Sequence, residues 1–454
     1  MAIRSSSVAR SASLRASHAA TAGGSGESGH SGFTIASSFG TRPDTTKVHD
    51  LVTHFRKALP EVVTVAQDFK QHGWQSEAMG KIFHGGYDDP PSWSVPSFFP
   101  KTGRNARLKP AGDPDAVADP GAAPAKKAGG KAAPKMKGLP WESPDVPDST
   151  LADGMIADHA IERLRANKDR PFFLAVGFIK PHLPFIAPKK YWDLYDPAVF
   201  QLADNPQPPK NAPSWAGTAW GELRAYTGMP KSGPLSDEQA RSMIHGYHAA
   251  ISFMDAQVGR VLAELNALGL RENTIIVLWG DHGWHLGDHG FWCKHTNYEH
   301  AARAPLIVSA PGQKTAGQKS AALVEFVDIY PSLCDLAGVP KPDTLEGTSF
   351  VPLLTDPQRP WKKAAFSQYP RGIALADGTK APGMGHALAT DRYRFVEWTT
   401  KKDAQFSECE LYDHQTDSEE NMNIANDPAN AKLVAELKAL LHGGWRGALP
   451  PAGK

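Results

Sequence analysis

The run from Thr274 to Trp279, closed by Gly280 and followed by Asp281-His282-Gly283, constrains the chain more than any other stretch. An apolar, β-branched segment that stops at a glycine reads as a buried parallel strand whose carboxyl end opens into a site, because open α/β sheets present ligands there. Asp281 and His282 become candidate metal ligands, one offering a hard oxygen and the other a ring nitrogen. Lys294 adds a cation that can hold an anionic group. The competing reading makes Asp281 a turn cap and His282 an ordinary hydrogen-bonded residue, and these residues alone leave both open.

The segments around this run alternate helix and strand, as in a doubly wound α/β sheet. Between Ser236 and Leu268 the residues Ile251, Met254, Val258, Val261, Leu262, Leu265 and Leu268 keep helical spacing, which predicts one apolar face with Met254 in the core, closed by Gly269. Pro171 to Phe178 predicts a buried strand, Gln75 to Met79 a shorter one, Pro305 to Ala310 another, and Val324 to Ala337 a helix that buries Cys334.

Two of these strands lead into loops with polar residues. Gly80-Lys81-Ile-Phe-His84-Gly-Gly86 places Lys81 and His84 in a glycine-flanked loop, where backbone can approach a ligand. Lys180-Pro181-His182-Leu-Pro184 holds His182 between two prolines, so that it could serve as an acid or as a partner of a leaving group. A surface lysine and structural histidines are the alternatives.

Across 454 residues the net charge is +1 and 41% of residues are apolar, which allows a large core and points to neither nucleic acid nor a membrane surface. No apolar run approaches the ~20 residues of a membrane span. Cys293, Cys334 and Cys409 form no disulfide framework and no zinc spacing. Residues 1–38, rich in Ser, Ala, Gly and Arg, are expected to be a disordered tail without the apolar core of an export signal. Residues 100–147 are expected to be a low-complexity insertion within an α/β domain over 39–355. Residues 356–454 are expected to form a small antiparallel sheet with one helix.

Taken in order, these motifs resemble the sulfatase family of the alkaline-phosphatase-like fold, nearest its iduronate-2-sulfatase branch. Gly40-Thr-Arg-Pro-Asp-Thr-Thr46, Gly80 to His84, Phe172 to Phe185, Asp281-His-Gly-Trp-His-Leu-Gly-Asp-His-Gly290, Ser367 to Pro370 and Glu410 to Asp413 carry the likeness. The resemblance implies a sandwich with a large, mostly parallel sheet flanked by helices. It also implies sulfate-ester hydrolysis at a calcium site, acting on a sulfated sugar, in an exported (periplasmic, extracellular or lysosomal) protein. By position, Asp281 and His282 would be metal ligands, while Lys294 and Lys81 would hold the sulfate. His84 would contact a formylglycine hydroxyl, and His182 the leaving oxygen.

One motif of the family is missing. The formylglycine of such enzymes comes from a cysteine in Cys-x-Pro-Ser-Arg, yet the three cysteines continue as Cys293-Lys-His, Cys334-Asp-Leu and Cys409-Glu-Leu. Ser94-Val-Pro-Ser97 resembles a serine variant until Phe98 stands where arginine is required. The strand carrying the family's paired aspartates is not found either, so the calcium shell is half complete. The expectation is an N-terminally truncated or inactive sulfatase chain with no identifiable nucleophile. A non-catalytic sulfated-glycan binder and a phosphodiesterase of the same superfamily are the alternatives.

Overall fold

The computed structural model describes residues 38–49, 53–84, 86–100 and 138–451, together with the backbone of strands Ala2–Arg4 and Ala12–Ser17. The chain divides into two compact units. The first comprises Met1–Ala2, Phe69–Ala203 and Gly221–Arg271; the second comprises Ile3–Asp68, Asp204–Trp220 and Glu272–Lys454.

In the first unit, strand Gln75–Gly80 pairs in parallel with Phe172–Gly177, and Phe172, Phe173 and Leu174 are buried. Helix Ala152–Asn167 packs on helix Asp237–Ala267. The longer helix starts at a capping box: the Gln239 amide donates to Ser236 Oγ and the Ser236 amide donates to Gln239 Oε1. Its buried side shares Leu265 with the expected face but otherwise differs from it. Ala240, Met243, Ala249, Ala250, Phe253 and Gln257 are buried, whereas Ile251 is exposed and Met254 is half-buried. Small residues explain the difference. A Cβ on Gly246 would lie 2.9 Å from Trp192 and 3.0 Å from Phe185, so those aromatic side chains approach where the helix is thin.

Of the expected 100–147 insertion, residues 101–137 lie outside the described residues. Its last part is regular structure, since Trp141–Glu142 pairs in parallel with Phe185–Ile186.

In the second unit, Thr274–Trp279 pairs antiparallel with Arg303–Ser309, which also pairs antiparallel with Ala12–Ser17. Ala12–Ser17 runs parallel to Lys319–Val324. Arg303–Ser309 thus runs against both of these neighbours, as one reversed strand of a mostly parallel sheet, and Ala12–Ser17, within residues 1–38, is a paired strand. Composition obscured that strand, although Ala12, Leu14 and Ala16 alternate with Ser13, Arg15 and Ser17 at the period of a strand.

The C-terminal part is the expected small antiparallel sheet, with strands Ala365–Ala374, Lys380–Ala389, Tyr393–Thr400 and Ser407–Asp413 in that order. Helix Ala431–His442 places Leu437 in a cluster with Leu388, Phe395 and Leu411. No helix among the described residues is long and apolar enough to cross a membrane.

Four charges are buried together in this unit. Arg42 grips Glu325 with two bonds of 2.7 Å, while Lys362 Nζ reaches Glu325 at 2.8 Å and both oxygens of Asp328 at 2.7 and 2.8 Å. Burial opposes the charge on Glu325, but Arg42 and Lys362 outweigh it and hold its pKa down to about 2. Lys362→Met should lower unfolding stability by about 3–5 kcal/mol in urea titrations, because two buried carboxylates lose their shared cation. A loss below about 1 kcal/mol would place the network among weak surface pairs. Because the folded pKa of Glu325 lies below its ordinary 4.5, its contribution is present above that value and is lost as pH falls through about 2.

Candidate active site

The two parallel strands of the first unit end side by side. Gly80 and Gly177 are register partners, and the Lys81 amide donates to the Gly177 carbonyl at 2.7 Å. A Cβ on Gly177 would lie 2.3 Å from the Lys81 oxygen, and one on Gly80 would lie 2.1 Å from the Gly177 oxygen. Only glycine at both positions lets the two loops leave in contact, and Gly80 also takes a positive φ of 73°. Lys81 and the loop carrying His182 are thus brought to one strand end.

His182 is fixed within that loop. Its Nδ1 lies 2.6 Å from the Leu183 carbonyl, and its Nε2 lies 3.6 Å from Glu222. Lys180, which the sequence reading passed over, stabilises the loop from beneath. Its Nζ donates to the Pro184 carbonyl at 2.7 Å and to the His182 carbonyl at 3.3 Å. Burial lowers the Lys180 pKa to about 8 despite the nearby carboxylates of Asp153 and Glu142. Asp153 in turn accepts from the amides of Ile179 and Lys180 at 2.8 and 3.0 Å. The Lys-Pro-His order was the available signal for Lys180, whereas nothing local pointed to Glu222. His84 stacks near Tyr87, with ring centroids 6.2 Å apart.

In the second unit the Asp-His-Gly loop leaves strand Thr274–Trp279 as expected. Gly283 seats it against residues 300–303: its amide donates to the Ala301 carbonyl at 2.9 Å, and a Cβ there would lie 2.0 Å from the His300 oxygen. Asp281 Oδ1 and His282 Nε2 face each other at 3.6 Å, and His282 Nδ1 is held 2.7 Å from the Gly283 carbonyl. The chain then doubles back on itself. The amides of His285 and Gly287 donate to the carbonyls of Cys293 and Phe291 at 2.7 and 2.9 Å. This turn returns Lys294 to the start of the loop, where its Nζ sits 4.6 Å from the centre of the Trp284 ring. Lys294 is 2% exposed, and burial pushes its pKa well below that of an ordinary lysine.

Asp281, His282 and Lys294 are therefore gathered in one loop system, and Lys81 and His182 at one strand end. Among the described residues Asp281 and His282 offer one carboxylate and one imidazole, fewer than the six to eight oxygens that calcium commonly takes. Among the described residues the three-membered carboxylate–imidazole cluster lies elsewhere, at Asp288, His300 and Glu419. The Ser/Gly-rich stretch ahead of Gly40 in which the family's Cys-x-Pro-Ser-Arg would fall, residues 30–34 included, lies outside the described residues.

The architecture is that of the alkaline-phosphatase-like hydrolases. Two solved structures cover nearly the whole chain: a protein in complex with its substrate D-glucosamine-2-N,6-O-disulfate (TM-score 0.68, 20% identity, 96% of this chain and 90% of that one) and a phosphonate monoester hydrolase from Silicibacter pomeroyi (TM-score 0.69, 21% identity, 97% and 89%). The family model described as Sulfatase matches residues 59–339, and the one described as N-sulphoglucosamine sulphohydrolase, C-terminal, matches residues 287–444. Iduronate 2-sulfatase of Mus musculus is 31% identical, covering 88% of this chain and 83% of its own length; the Homo sapiens protein is 30% identical with the same coverage. This chain belongs to the sulfatase family.

Gly177→Ala should drive the 178–185 loop away from Lys81 and cost about 1–3 kcal/mol of stability, because the clashing atom is backbone. Thermal unfolding measures this, and an unchanged midpoint would show that the two loops are not packed as described.

Proposed function

We propose that the chain carries a sulfuric ester site for sulfated sugars of the iduronate-2-sulfatase kind, and that this chain alone binds such esters without turning them over. The observation that supports it is Lys294: a lysine buried against Trp284, on the hairpin that returns to the Asp281–His282 loop, can present a cation to a tetrahedral anion. In this reading Lys294 and Lys81 hold the sulfate oxygens, and fixed cations in a dry site stabilise charge that spreads over a transferring sulfuryl group. His182 hydrogen-bonds the leaving oxygen, oriented by the Leu183 carbonyl and Glu222. His84 is the partner of a formylglycine hydroxyl where that residue exists. Asp281 and His282 would supply two ligands of a calcium ion. The sugar class rests on the names of the relatives, which include an N-acetylglucosamine-6-O-sulfatase of Bacteroides thetaiotaomicron, 33% identical over 43% of this chain.

Turnover needs a nucleophile, and no cysteine of this sequence stands in Cys-x-Pro-Ser-Arg. Two measurements on one preparation test the reading: sulfate release from an aryl sulfate, and calorimetric binding of a 2-O-sulfated uronic acid. Binding without release is expected. Lys294→Ala should weaken that binding at least tenfold, whereas Lys432→Ala, at a side chain 91% exposed, should leave it unchanged. Equal effects of the two substitutions would remove Lys294 from the site, and steady sulfate release would overturn the assignment as a binder.

A further inference from the structure

Among the described residues outside those given roles above, one cluster has metal-ligand chemistry. Asp288 follows the Asp-His-Gly loop, His300 lies in the short helix Glu299–Ala302, and Glu419 comes from the turn after strand Ser407–Asp413. His300 Nε2 stands 2.9 Å from Glu419 Oε2 and 3.8 Å from Asp288 Oδ1, and the three ligand atoms all lie within 4.8 Å of one another. Neighbouring ligands of a tetrahedral zinc ion, with bonds near 2.1 Å, stand roughly 3.4 Å apart. The two measured separations bracket that value.

The outer oxygens of both carboxylates are already engaged. Asp288 Oδ2 accepts from the Leu286 amide at 3.2 Å, and Glu419 Oε1 accepts from Ser418 Oγ at 3.2 Å. Each carboxylate therefore turns its other oxygen toward His300, which is how second-shell bonds orient metal ligands.

We propose that Asp288, His300 and Glu419 bind a divalent transition ion of the zinc class. One imidazole and two carboxylates suit zinc or cobalt, and water would complete the fourth position. The ion would tie together the loop after Asp281, the helix Glu299–Ala302 and the turn after Ser407–Asp413, adding to the hold that Gly283 already has on residues 300–303. Its role is to brace the loop that presents Asp281 and His282, and it stands whether or not the chain handles sulfate esters. The rival arrangement is a protonated His300 bridging two carboxylates without any ion.

The test is zinc stoichiometry by calorimetry on chelator-stripped, folded protein, with thermal unfolding followed in parallel. The unaltered chain should bind one more Zn²⁺ than Glu419→Gln or His300→Ala, and added Zn²⁺ should raise its unfolding temperature while leaving those of the two variants unmoved. Zinc held elsewhere, for example at Asp281 and His282, is common to all three proteins and cancels. Glu419→Gln replaces a half-exposed side chain by its isostere and so keeps the test valid should His300→Ala misfold. Equal stoichiometry in the three proteins, or no zinc bound by the unaltered chain, would overturn the proposal in favour of the bridging histidine.

Discussion

Four charges buried together have to satisfy one another, and that requirement organises the second unit. Arg42, Glu325, Asp328 and Lys362 come from segments separated by as many as 320 positions, yet no member has more than about a tenth of its side chain exposed. Their bonds extend into the backbone. Glu325 accepts from the Phe366 amide at 3.0 Å, at the start of the C-terminal sheet, and Asp328 accepts from the Thr348 amide at 2.7 Å. The network thereby fixes the Gly40–Thr46 segment, helix Ile329–Ala337 and the first strand of the small sheet to one another. Such a group specifies an arrangement more than it adds stability, since moving any one member leaves the others charged in a dry interior.

The same physics, applied to lysines, shapes the candidate site. Lys180 and Lys294 are both buried and both have depressed pKa values, but the chain uses them differently. Lys180 donates to two carbonyls of its own loop and so serves as a scaffold for His182. Lys294 rests on an aromatic face beside the Asp-His-Gly loop, a placement that suits an incoming anion. Glycine makes both placements possible: Gly80 and Gly177 allow two strand ends to touch, and Gly283 lets the Asp-His-Gly loop lie directly on residues 300–303.

Much of this was legible in the chain itself. Apolar runs ending in glycine marked the strands at 172–177 and 274–279, Gly80 marked the end of the shorter one at 75–80, and helical spacing marked the long helix from about Ser236. The order of motifs pointed to the family and to Lys81, His84, His182, Asp281, His282 and Lys294. What stayed hidden depends on distance. Neither the Glu222–His182 pair nor the Arg42–Glu325 pair leaves a local pattern, because partners far apart in sequence obey no periodicity. Asp288, His300 and Glu419 were passed over for the same reason. Large apolar residues suggest one face of the long helix, whereas packing against Trp192 and Phe185 selects a face with small ones. The strand Ala12–Ser17 was missed because composition was weighed ahead of alternation.

The role of Lys294 shows itself in the proton uptake that accompanies binding of a sulfated sugar, measured by calorimetry in buffers of different ionisation enthalpy. Burial lowers the pKa of Lys294 in the free protein, and a sulfate beside it would raise that pKa again. Above the depressed value, binding should therefore take up a proton and affinity should fall as pH rises, with both effects absent in Lys294→Ala. Binding that takes up no proton, with an affinity flat across that range, would mean that the sulfate lies elsewhere and that the buried lysine is not its partner.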